Sequence, residues 1–200
     1  MTPNLLQIFA KAPVSGEVKT RLAADIGDVD ACEVYKQLLS NTLKNGVSKD
    51  WKTEIWCTPD DQHPFLKKLS EQYKVSQRIQ YDGSLGQRML SALQHGQIKA
   101  QKVVLIGSDC PVMSLDTIQA AFNALDTYDV VFSPAEDGGY VLVGCNRTSE
   151  EMFEEVEWSV AETLEQSMSA LKRCGLSYQL LPVLWDVDTL IDLKRWQGVS

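Results

Sequence analysis

The stretch Lys102-Val103-Val104-Leu105-Ile106-Gly107 limits the possible folds more than any other part of the chain. It is a β-branched apolar run without polar alternation, the pattern of a strand covered on both faces. A turn follows at once, Ser108-Asp109-Cys110-Pro111. Beyond it stands Ser114, with Ile118, Ala121, Phe122 and Leu125 at i, i+3, i+4 and i+7. The Ser114 hydroxyl is placed to accept from the free N–H groups that open a helix, so the spacing predicts strand, turn and amphipathic helix in succession. A doubly covered strand feeding a helix belongs to a mainly parallel sheet with right-handed crossovers.

The rest of the chain repeats this alternation. Strands are expected at 5–10, 54–57, 76–81, 129–133, 140–145 and 178–184, and helices at 30–45, 85–94, 159–175 and from 189 through 196. Asp30 with Glu33, Ser159 with Glu162 and Thr189 with Asp192 have capping-box spacing, and Gly46 and Gly175 stand where a left-handed C-terminal residue belongs. Two strands in a row around Asp137-Gly138-Gly139 break the alternation and predict an antiparallel insert near 129–145. The 200 residues show no repeat or linker and read as one domain, 1–200.

Charge and composition remove several function classes. Lys and Arg number 19 against 27 Asp and Glu, a net charge of −8, which argues against a chain that grips nucleic acid by charge. No apolar run approaches the ~18 residues of a membrane span. The N-terminus lacks a basic n-region, so no signal peptide is expected. The five cysteines are scattered without a CxxC pair, so neither a disulfide framework nor a zinc site is indicated. Two histidines leave a Ser-His-Asp triad poorly supplied. The expectation is a soluble, reduced, cytoplasmic protein.

Ligands of open α/β sheets bind at the carboxyl ends of the strands, which directs attention to four loops. The first, 11–22, concentrates Lys11, Lys19 and Arg21 around Gly16 in an otherwise acidic chain. Such donors suit a phosphate or diphosphate, although a solvated loop has the same composition, and neither Walker A nor GxGxxG spacing is present. The second puts Asp109 directly after the buried strand, where a carboxylate holds Mg²⁺ or Mn²⁺, or else caps the turn. Its neighbour Cys110 has no basic group beside it and reads as a buried thiol. In the third, Gly138 and Gly139 would let a ligand approach the backbone, and Asp137 would accept from a sugar hydroxyl or act as a base; an ordinary hairpin turn is the alternative. In the fourth, Asp186 and Asp188 are two apart and point to one side of an extended segment. One of them would complete a metal site with Asp109, or Asp188 or Thr189 would cap the last helix. His63 before Pro64 reads as a helix start, His95 as structural, and the acidic stretch 150–157 as a solvated face.

Taken in order, Phe9-Ala10-Lys11-Ala12-Pro13, Val18-Lys19-Thr20-Arg21-Leu22, Leu85-Gly86-Gln87-Arg88-Met89, Gly107-Ser108-Asp109-Cys110-Pro111, Asp137-Gly138-Gly139-Tyr140, Trp158-Ser159 and Asp186-Val187-Asp188-Thr189 span nearly the whole chain. As a set they resemble the glycosyltransferase-like family once called domain of unknown function 2064, of the nucleotide-diphospho-sugar transferase (GT-A) superfamily. The chain departs from that pattern at Ser15, where the family usually has Pro, and at Val160, where it has Thr. The resemblance implies a Rossmann-like GT-A fold and a metal-dependent glycosyltransferase with a nucleotide-sugar donor. Lys11, Gly16, Lys19 and Arg21 would meet the donor phosphates, and Arg88 would lie near the nucleotide. Asp109 would be the ligand of Mg²⁺ or Mn²⁺, with Asp188 preferred to Asp186 as its companion. Asp137 would serve as the acceptor's base, with Gly138 and Gly139 beside the sugar or acceptor. A nucleotidyltransferase using a nucleoside triphosphate, or a nucleotide-binding module without catalysis, would use the same residues.

Overall fold

The structure, a computed structural model, describes residues 2–199. The order along the chain is β1 (Thr2–Lys11), α1 (Thr20–Ile26), α2 (Asp28–Gly46), β2 (Lys52–Thr58), α3 (Pro64–Tyr73), β3 (Ser76–Ile79) and α4 (Leu85–Gln97). There follow β4 (Ala100–Ile106), α5 (Leu115–Ala124), β5 (Val130–Pro134), β6 (Tyr140–Cys145), α6 (Thr163–Arg173), β7 (Tyr178–Leu180) and α7 (Leu190–Val199). The strands form one seven-stranded sheet in the order β3-β2-β1-β4-β6-β5-β7. Every neighbouring pair is parallel except β4 with β6 and β5 with β6, so the antiparallel element is where the doubled strands predict it.

Period-two alternation divides the core. Leu6 and Ile8 of β1 with Val104 and Ile106 of β4 face Leu39, Leu43, Ile118 and Phe122 from α2 and α5. Leu5, Val103 and Leu105 face the other way, against Met89 and Leu93 of α4 and Leu171 of α6. Helices therefore cover both faces, as the unbroken apolar run of β4 requires. A third cluster joins Leu22 of α1 and Leu38 of α2 to Trp185, Val187 and Leu193, and so packs the last loop against the first two helices. No helix among the described residues is long and apolar enough to cross a membrane.

Local signals hold where the cap residue is free to act. Ser114 accepts from Thr117 N–H, and Ser84 and Gln87 form a reciprocal capping box on α4. His63 accepts from Phe65 N–H ahead of Pro64, which makes it the expected helix start. Thr189 and Asp192 exchange hydrogen bonds at the entry to α7. Two expected caps are not formed. At Asp30 the helix already runs, because α2 starts at Asp28 directly behind Gly27, whose φ of 86° turns the chain out of α1. Ser159 is left-handed, with φ 65°, and Thr163 Oγ1 instead donates to the Glu157 and Val160 carbonyls ahead of α6. Gly46 lies inside α2, not beyond it. A Cβ there would come within 3.2 Å of the Leu6 side chain, so close packing on β1 is what calls for glycine.

Candidate active site

Beyond the carboxyl ends of β1 and β4 lies a cleft of about 490 Å³. Its walls come from the loop after β1, the start of α1, the turn after β4, the first turns of α4 and Asp188. The fold brings these segments together through specific ties. Val187 N–H donates to the Asp109 carbonyl at 3.0 Å, which docks the last loop on the turn after β4. Tyr35, almost wholly buried in α2, accepts from Lys11 N–H at 2.8 Å and lies 3.2 Å from Ser108 Oγ, joining the loop after β1 to the same turn. Burial raises the Tyr35 phenol to about 12, so at neutral pH it is a neutral strut.

The charged centre is compact. Lys19 caps α1 with a left-handed backbone, and its side chain is only 6% exposed. Its Nζ donates to Asp109 Oδ2 at 2.8 Å and lies 3.5 Å from Asp188 Oδ1. Arg21 Nη1 donates to the second Asp188 oxygen at 3.0 Å. Burial opposes the Lys19 charge, but Asp109, then Asp188 and Asp186, outweigh it and hold the ammonium above its ordinary value. Asp186 is raised to about 6, first by burial and then by repulsion from Asp109, with Lys19 partly offsetting both. Lys11 points its Nζ at the Glu17 carbonyl, 2.7 Å away, and lines the same cleft. Cys110 is buried, and its thiol is pushed up to about 12.

The fit to a divalent cation follows from the donor set. Asp109 and Asp188 offer hard carboxylate oxygens that already converge on one cationic atom, Lys19 Nζ. No three His, Cys, Asp or Glu side chains among the described residues form a self-sufficient metal cage. Two carboxylates with the remainder supplied by water and phosphate is the usual surrounding of Mg²⁺, and these residues fit it.

The other expected residues make contacts of their own. Arg88 lines the cleft from α4, where its Nη1 donates to Gln80 Oε1 at 3.1 Å while Gln80 Nε2 holds the Trp56 carbonyl at 2.8 Å. Asp137 is exposed; its Oδ1 accepts from Gly139 N–H at 3.0 Å, so it closes the hairpin turn. Gly16 is left-handed, with φ 82°, beside Asp28. Gly138 has φ 90°, and a Cβ there would lie 2.0 Å from the Ala161 carbonyl oxygen. The close approach at Gly138 is thus to the chain itself. Gly16, Asp137, Gly138 and Gly139 do not line the cleft. Sequence reading did not assign Tyr35, Ser108, Thr58 or Gln80 to the wall. Tyr35 reads only as one apolar position of a helix, and nothing local marks its hydroxyl.

The sequence profile of a family described as "Uncharacterized protein conserved in bacteria (DUF2064)" matches residues 42–160. No curated protein matches significantly. Among solved structures, a candidate nucleotide-diphospho-sugar transferase from Desulfovibrio desulfuricans G20 is 30% identical, with a TM-score of 0.87 over 96% of this chain and 85% of its own. A nucleotidyl transferase from Methanothermobacter thermautotrophicus superposes at TM-score 0.65 over 100% of both chains, with 10% identity. A 4-diphosphocytidyl-2C-methyl-D-erythritol synthase from Anaerococcus prevotii does so at 0.63 over 99% of this chain and 96% of its own, with 14% identity.

Proposed function

The chain belongs to the DUF2064 family and has the Rossmann-like fold of nucleotide-diphospho-sugar transferases and nucleotidyltransferases, and from that premise we propose that it is a metal-dependent glycosyltransferase. The donor is a nucleotide-diphosphate sugar; the acceptor is a hydroxyl compound. The observation that carries this reading is the charged centre: Lys19 and Arg21 paired with Asp109 and Asp188 at the sheet's carboxyl edge, with Lys11 lining the same cleft. Nearly whole-chain likeness to a candidate nucleotide-diphospho-sugar transferase supports a transferase that handles nucleotide-linked substrates.

Glycosyl transfer breaks the sugar C1–O bond and leaves a nucleoside diphosphate. The developing negative charge must be met by hydrogen-bond donors in a shielded place. Lys11, Lys19 and Arg21 supply those donors, and Arg88 holds the nucleotide from the α4 side. Asp109 and Asp188 would hold Mg²⁺ or Mn²⁺, which would neutralise further diphosphate charge. Asp137, exposed on the hairpin turn outside the cleft wall, would take the acceptor's proton. Only one of its oxygens is engaged by the turn.

Thermal-shift titration tests the reading, with nucleotide sugars and nucleoside triphosphates, each with and without Mn²⁺ or Mg²⁺. A metal-dependent shift that is larger for a nucleotide sugar than for the matching triphosphate, with nucleoside diphosphate as product, is expected. A larger shift with a triphosphate, and pyrophosphate release, would establish the second reading. That reading draws on the nucleotidyltransferase neighbours of the fold. Tight binding without turnover, unaffected by Asp109→Asn, would indicate a binding module.

A further inference from the structure

We infer that Lys19 occupies the position of the divalent cation, and that metal and diphosphate enter together by displacing it. The inference rests on the function proposed above. One ammonium, 6% exposed, lies 2.8 Å from Asp109 and 3.5 Å from Asp188, the same two carboxylates that would take the metal. Both cations cannot share those oxygens, because like charges a few ångströms apart in a shielded cleft repel strongly.

Consider each ligand alone. A metal that takes Asp109 and Asp188 leaves Lys19 as a buried cation without a partner, which is costly. A diphosphate that draws Lys19 to itself leaves Asp109 and Asp188 unpaired beside a new anion and beside Asp186. When both arrive, each group finds an opposite charge: the carboxylates hold the metal, and the ammonium holds phosphate. Lys suits this role because its charge sits on a flexible four-carbon stem with rotatable donors. Arg21 remains on Asp188 throughout; its side chain is 70% exposed, so solvent already shares its charge. The consequence is positive coupling between cation and diphosphate, reciprocal by linkage. An empty cleft holds neither tightly.

The signature is a change of opposite sign in one variant. Mn²⁺ binding to the ligand-free protein is read by electron paramagnetic resonance. Inorganic pyrophosphate binding is read separately by calorimetry in the presence of a chelator. Lys19→Met should tighten Mn²⁺ at least tenfold and weaken pyrophosphate at least tenfold, whereas general damage would weaken both. Lys19→Arg, which keeps the charge, should leave Mn²⁺ binding weak. Asp109→Asn should abolish Mn²⁺ binding in either background. Lys19→Gln repeats the measurement if circular dichroism shows that Lys19→Met is unfolded. Unchanged or weaker Mn²⁺ binding in Lys19→Met, with Asp109→Asn still abolishing what the wild type binds, would overturn the exchange and leave the metal site standing. Pyrophosphate binding without Mn²⁺ binding in any variant would overturn both the exchange and the metal dependence. Binding of neither would overturn the proposed function itself.

Discussion

Asp109 belongs to two systems at once. Its carbonyl accepts from Val187 and fixes a loop, while its carboxylate meets Lys19. Asp109→Asn keeps the backbone contact and removes the charge. It should leave the fold intact and lower turnover by on the order of a hundredfold or more, measured by product formation beside a thermal melt. A loss of folding instead would mean that the carboxylate is needed structurally, as the partner of the buried Lys19 or as a turn cap. Asp129 offers a purely structural comparison. Ser177 donates to its carboxylate from the backbone N–H and from the hydroxyl, each at 2.8 Å, and Arg147 lies nearby. These hold the Asp129 carboxyl below its ordinary value. A depressed folded-state value means stability that is present above the ordinary carboxylate range and lost as pH falls through the folded one. Asp129→Asn should therefore lower stability near neutral pH, and the difference from wild type should shrink toward acid, as urea midpoints at several pH values would show.

At the scale of elements, the turn 134–139 and the segment before α6 are locked by an absence of side chain. Gly138 N–H bonds back to Ala135, its carbonyl accepts from Leu164 N–H, and Ala161 fills the space where a Cβ would be. Gly138→Ala should cost at least about 2 kcal/mol by clash and backbone strain, seen as a lower urea midpoint. Ser84→Ala should cost about 1 kcal/mol by opening the capping box of α4. These elements also show what the sequence could reveal. The caps at Ser114 and His63 were legible because donor and acceptor are neighbours in the chain. The doubly covered β4 and the antiparallel β6 were legible from polarity patterns alone. Helix α1 leaves no such mark, and α3 shows only its start, at His63 and Pro64. The seven residues of α1 carry one buried side chain, Leu22, too few for a periodic signal. That Lys19, Arg21, Asp109 and Asp188 lie at strand ends is visible in one dimension, and the structure brings all four to one cleft. Their pairing is not visible there, since it joins residues 90 positions apart in one case and 167 in another. The packing of Gly138 on Ala161 leaves no mark in the sequence, because a glycine required by the chain's own packing looks the same as one required by a ligand.

Across the whole molecule, β4 joins the two apolar layers. Ile106 and Leu105 are neighbours in sequence yet face opposite cores, and both are buried. Ile106→Ala should destabilise by about 2–5 kcal/mol without touching a cleft side chain, so calorimetry should show a lowered melting temperature while ligand affinities below it stay unchanged. The sheet order carries a further consequence. Strands β3, β2 and β1 are contiguous in the first 79 residues, whereas β4 adds to β1 only after residue 100 has been made. The growing polypeptide can assemble one flank of the sheet early, with an open edge on β1 that waits for its partner. That first portion carries Lys11, Lys19 and Arg21; the later one carries Asp109, Asp186 and Asp188. Cutting the polypeptide in the loop between β3 and α4 would leave Lys11, Lys19 and Arg21 on a nearly neutral fragment, and Asp109, Asp186 and Asp188 on one that carries almost all of the net negative charge. The charges that prepare the cleft for its ligands would then also draw the two pieces toward each other.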